Sequence, residues 1–192
     1  MLTSRRFLMS ERFPTTLHHF LQRLFGRGGR LHVRTIEALL VPIVQGLRQM
    51  HIENFAHCGL REDSIFLTEG LYPILSDFES KAFCISEQTE GSLQALILHD
   101  DGYTPIELLG KGTKPEDLDL KKVDSYSVGV ILVHMLAGNK DYARVKPGEM
   151  PHIAEPSKQE EKGPFSRLVD LASRLISYWP NRRPLLAEVV KE

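Results

Sequence analysis

Apolar positions along the 192-residue chain fall into blocks with different periods. Between Arg34 and Met50, the residues Ile36, Leu39, Leu40, Ile43, Val44 and Leu47 recur at three- and four-residue spacing, which predicts a helix burying one stripe. A shorter helix is predicted over Leu17 to Leu24, closed by "GRGG". Two brief apolar runs follow, "SIFLT" and "YPILS", separated by Glu69-Gly70, and they predict a small hairpin. Pro73 lacks an N–H and demotes the second run to an edge or irregular strand. Glu87 to Asp101 has no clean period and reads as a loop. "SYSVGVILVHMLA", Ser125 to Ala137, is apolar on nearly every side, the pattern of a central helix covered all round. "KPGEMPHIAEPSKQEEKGP" reads as a mobile connection. After it, Phe165, Leu168, Val169, Ala172, Leu175 and Ile176 return to helical spacing. "WPNRRP" breaks that helix, and a last short one starts at Leu185. No internal repeat is present.

Composition narrows the class. With 42% hydrophobic and 26% charged residues, the chain can form one compact domain with its own core. A net charge of -1 gives no global pull towards nucleic acid or anionic lipid, and nucleic acid is not expected as a partner. No apolar run is long enough to span a bilayer. "MLTSRRFLMSERFP" lacks the apolar stretch of a signal peptide. Two cysteines, Cys58 and Cys84, make neither a disulfide framework nor a four-ligand zinc site by themselves. The adjacent His18-His19 reads as a solvated helix face rather than a metal site.

Six stretches, taken in order, carry a resemblance. "RFLMSERFPTTLHHFL" resembles the strand and hinge that open the large lobe of a eukaryotic protein kinase, with its first helix. "GLRQMHIENFAHCGLREDSIFL" resembles the long helix and catalytic loop, whose usual pattern is H-R-D-x-x-x-x-N. "LSDFE" resembles the metal-binding D-F-G, "YTPIELLG" the A-P-E segment, "VDSYSVGVILVHMLAG" the buried central helix, and "YWPNRRPLLAEVV" the closing arginine turn. The looseness of each motif resembles rhoptry-type kinases and pseudokinases of apicomplexan parasites, which would imply a secretory or rhoptry setting. Otherwise the compartment is unknown.

The resemblance implies a mainly α fold with a small β-hairpin: a protein-kinase-like C-terminal lobe (α+β) lacking the N-terminal β lobe. It makes residues 1–192 one truncated domain. Within it the hinge strand falls at about 6–13, the catalytic-loop region at 55–80, the activation segment at 77–109, the central helix at 124–137 and the C-terminal helices at 165–192.

Position by position, the resemblance also implies that the chemistry is degraded. The catalytic-loop aspartate, which orients a substrate hydroxyl and accepts its proton, falls on Gly59. The preceding arginine becomes Cys58, after His57. Arg61 stands where a loop lysine usually helps. The asparagine that holds a second magnesium falls on Ser64, a weaker ligand for a hard cation. Asp63 beside it is expected to point away. Asp77 is kept as a metal ligand, but the glycine two residues on is Glu79, and Phe66 falls on the adenine floor. The frame is kept. His57 and Phe78 match two buried links of a stack through the domain. Asp124 matches the carboxylate that accepts N–H groups of the catalytic loop. Glu107 and Arg183 match a buried ion pair, and Ile131 and Met135 are expected beneath Ile65 and Phe66. Singly, an apolar helix with an Asp at its start is as often a capped core helix; in this order, the motifs support one another.

The reading is therefore a catalytically inactive kinase-like module that binds or regulates, with no cofactor expected. The alternative is a fragment of an active ATP-dependent protein serine/threonine kinase using Mg–ATP, and a third possibility is a remnant without a stable role. The resemblance also brings Cys58 and Cys84 towards disulfide distance, although two separate thiols are the expectation unless the chain is secreted. A protein partner or self-association is expected through the surface that would face an N-terminal lobe, around Phe7, Leu8 and Phe13 and one face of Ile65, Phe66 and Leu67.

Overall fold

The computed structural model describes residues 12–78, 83–85, 102–109, 114, 117–138, 148–156 and 159–189. The chain enters through a two-residue strand, β1 (Thr15–Thr16), and turns into helix α1 (Leu17–Gly26). The Thr16 hydroxyl caps α1 by accepting from the His19 N–H at 3.3 Å. A tight reversal, with Gly28 at φ +72°, leads into the long helix α2 (Val33–Ile52). Its stripe of Ile36, Leu39, Leu40, Ile43, Val44 and Leu47 is buried, because that spacing keeps one face on the core.

Asn54, at φ +65°, reverses the chain after α2 and feeds β2 (Phe55–Ala56), which pairs antiparallel with β5 (Phe83–Cys84). A single helical turn, Glu62–Ser64, then precedes β3 (Ile65–Leu67) and β4 (Pro73–Leu75). These two strands form an antiparallel hairpin, and β1 joins the other side of β3 to give the order β1-β3-β4. Pro73 thus sits on an edge, where its missing N–H costs no ladder bond. The hairpin reverses with Leu71, not Gly70, in the left-handed region at φ +62°.

The core is built around α4 (Leu120–Ala137), which follows the short α3 (Ile106–Leu109). Every residue of α4 from Val123 to Val133 is buried. Its buried serines stay satisfied by donating to carbonyls four residues back: Ser125 to Lys121 at 3.0 Å and Ser127 to Val123 at 3.3 Å. Asp119 caps α4, and Gly138 ends it at φ +63°. Helices α2 and α5 (Gln159–Leu175) pack on either side, and α6 (Leu186–Val189) closes against α2.

Several expectations are corrected. Helix α5 starts at Gln159 rather than after Pro164, so the tail of the supposed connection is helical. A proline so near the helix start removes one intrahelical bond, and Glu161 is held there by His32 at 3.2 Å. Residues 148–156 are anchored at Gly148, whose N–H donates to Ile176 O at 2.7 Å. Ile65 and Leu67 are fully buried rather than uncovered, and Phe13 stacks on Phe66 with centroids 5.4 Å apart. Of the hinge strand expected at 6–13, only Arg12 and Phe13 are described, and neither is in a strand. Phe7, Leu8, Glu79 and the loop over 87–101 lie outside the described residues.

Candidate functional site

The end of α2, the loop after β2 and the start of α4 meet at Asp124, which is fully buried. Its carboxylate accepts from the His57 N–H at 2.9 Å and the Cys58 N–H at 2.7 Å, and its Oδ2 lies 2.8 Å from His51 Nε2. One side chain on α4 thereby fixes the backbone of the loop. The His57 ring is buried and donates from Nε2 to the Ser76 carbonyl at 2.9 Å, which ties the loop to the chain beyond β4. Cys58 takes φ +57°, unusual for a residue with a Cβ. Its thiol is free. Burial, and then the Asp124 carboxylate, push its pKa well above the usual thiol value. No pairing with Cys84 is made; the strand register instead sets Cys84 opposite Phe55.

Gly59 follows with no side chain. The Arg61 guanidinium lies 5.7 Å from the centre of the Tyr103 ring. Asp63 is exposed. The Ser64 hydroxyl accepts from the Arg61 N–H at 3.0 Å and donates to the Arg61 carbonyl at 2.9 Å, a closed ring that commits it to the loop. Ser76 donates to the Ser64 carbonyl from both N–H and hydroxyl. Asp77 is half-buried at φ +69°. Phe78, expected as a buried link, is 39% exposed. Its ring still meets His57, at 5.5 Å between centroids. Phe66, also half-buried, lies under Phe13.

Glu107 on α3 and Arg183 form a bidentate pair, Nη1 to Oε1 at 2.5 Å and Nη2 to Oε2 at 2.9 Å. The remaining Arg183 donors reach the carbonyls of Ser177, Lys122 and Tyr178, so all five of its N–H groups are used. The guanidinium also lies 4.9 Å from the centre of the Tyr126 ring. Burial this complete is tolerable because the charge is paired and every donor is satisfied.

A second buried cluster escaped the sequence reading. Glu62 Oε1 is 2.6 Å from His134 Nδ1 on α4, and the Tyr103 hydroxyl donates to Glu62 Oε2. The loop, α4 and the segment leading to α3 are thus joined a second time. The available signal was a lone histidine ten residues after Asp124, in a stretch otherwise apolar from Val128 to Ala137. His51, the third contact of Asp124, had no such marker.

The family model described as "Protein kinase domain" matches residues 3–192. The chain belongs to the protein kinase family. It is similar to serine/threonine-protein kinase dkf-2 of Caenorhabditis briggsae, 28% identical over 144 residues, covering 71% of this chain and 11% of that protein. It is also similar to serine/threonine-protein kinase dkf-1 of Caenorhabditis elegans, 28% identical over 114 residues, covering 57% of this chain and 14% of that protein. The chain therefore spans a small part of these relatives. As a kinase fold it is mostly helical with a small three-stranded sheet, the make-up of a C-terminal lobe. Among the described residues, no helix is long and apolar enough to cross a membrane.

Proposed function

We propose that this protein kinase domain binds or regulates without transferring phosphate. One observation supports the reading: the loop is assembled on Asp124, yet the position that the motif resemblance assigns to the catalytic aspartate is Gly59, which offers no proton acceptor. Loss of a positioned base typically lowers a rate by about 10²–10⁴. The donor set also fits a magnesium clamp poorly. The Ser64 hydroxyl is committed to Arg61, and Asp77 is left as the single matching carboxylate. Among the described residues, no group of three or more His, Cys, Asp or Glu is placed to hold a metal. Binding would run through the face carrying Leu71, Tyr72 and Phe78, all exposed, beside a shallow apolar pocket of about 400 Å³ between Pro42, Met50 and Leu75. Its occupant would be a protein partner or a second copy.

The alternative, part of an active serine/threonine kinase, is favoured by the names of the relatives. One assay separates the two. Phosphate incorporation from Mg–ATP is expected to match the blank for the parent and for Asp77→Ala alike. Incorporation by the parent that Asp77→Ala abolishes would establish the enzyme reading.

A further inference from the structure

Residues 12–36 contain five arginines and three histidines but no aspartate or glutamate, in a chain whose net charge is -1. Three of the arginines fall at the junction of α1 and α2. Arg23 lies in the last turn of α1, Arg27 is its C-cap, and Arg34 is in the first turn of α2. The connection between them is tight: the N–H groups of Arg27 and Gly29 both donate to Leu24 O, at 3.2 and 3.0 Å, and that of Gly28 donates to Phe25 O at 2.9 Å. All three arginines are exposed. Among the described residues no carboxylate pairs with them.

Fold stability accounts for only part of this. Arg23 and Arg27 offset the negative end of the α1 dipole. Arg34 does the reverse: it sits at the positive end of a 20-residue helix whose first turn holds no acidic residue, where a cation is unfavourable. Two other basic residues of the same connection have partners of their own. Arg30 donates from Nη2 to Ala154 O at 3.2 Å, and His32 pairs with Glu161 at 3.2 Å. Residues 149–156 pass there without helix or strand and carry Glu155, itself 3.7 Å from Lys162. Arg30 thus meets an irregular stretch of this chain through a backbone carbonyl, and His32 meets a carboxylate on α5.

We propose that Arg23, Arg27 and Arg34 form a docking surface for an acidic, extended segment of a partner protein. Two other polyanions fit less well. Single-stranded nucleic acid needs exposed aromatic rings for stacking, and an anionic bilayer needs apolar side chains to insert. None of the large exposed hydrophobics among the described residues falls within 12–36. The surface is independent of whether the domain transfers phosphate, so the two readings fail separately.

Fluorescence anisotropy with a labelled glutamate-rich peptide tests it, run beside single-stranded DNA and phosphatidylserine vesicles. The peptide is expected to bind, more weakly as salt rises. The triple variant Arg23→Glu, Arg27→Glu, Arg34→Glu should weaken binding at least about tenfold. The triple Arg→Lys variant, which keeps the charge, should retain most of it, and matching circular dichroism shows that all three proteins are folded. Equal peptide binding by the parent and the reversed variant overturns the proposal. So does binding of only the DNA or only the vesicles. Should the reversed variant fail to fold, triple Arg→Gln is read by the same criteria.

Discussion

Cys58 combines a left-handed backbone with an N–H that donates to the buried Asp124 carboxylate. Burial and Asp124 both oppose the thiolate, so the folded protein holds this proton more tightly than the unfolded chain. The resulting stability is complete below about pH 9 and is lost as pH rises through the folded value, because the unfolded chain ionises first. Thermal melts on both sides of pH 9 should show the parent losing stability more steeply on the alkaline side than Cys58→Ala. Parallel slopes would refute this. At this scale the sequence was readable where a motif fixed the spacing, as for the contacts of Asp124, Glu107 and Arg183. It was unreadable for Glu62, His134 and His51, which are joined only by the tertiary fold. Phe78 was misjudged because a motif gives a ring its position but not its cover.

The crossing of α4 and α5 depends on one missing side chain. A Cβ on Gly129 would lie 2.7 Å from Leu175 Cβ and 3.0 Å from the Leu175 carbonyl carbon, and backbone cannot yield as a side-chain tip can. Gly129→Ala is therefore expected to destabilise the protein by about 1–3 kcal/mol, despite the better helix propensity of alanine. Chemical denaturation measures this, and a neutral or stabilising result would show that the helices separate at little cost. The long periodic helices were legible in the sequence because burial of one stripe imposes its own spacing. The start of α5 was not: "QEEKGP" has loop composition, and its first turn is held by His32 rather than by local preference. The hairpin was legible in pairing and edge position, whereas Leu71 took the turn geometry that a glycine beside it could have adopted.

Viewed as one molecule, the chain collects its order around α4, with α2, the loop and the segment before α3 all attached to that helix. The Asp124 carboxylate bonds to N–H groups 66 and 67 residues earlier in the chain and to a ring 73 residues earlier. Such contacts close long stretches of chain, and their loop-closure entropy must be met before they form. The loop at His57 and Cys58 therefore cannot take its shape ahead of α4, nor can it open alone without costing the buried Asp124 carboxylate two of its three contacts. Although the residues carry no regular secondary structure, their amides should exchange with solvent as slowly as those in the middle of α4, through global unfolding rather than local breathing. Native-state hydrogen exchange resolved by residue will test this, with Asp124→Asn expected to release the two amides into faster, local exchange. A stretch that looks like a loop would then belong, on the timescale of opening, to the most persistent part of the protein.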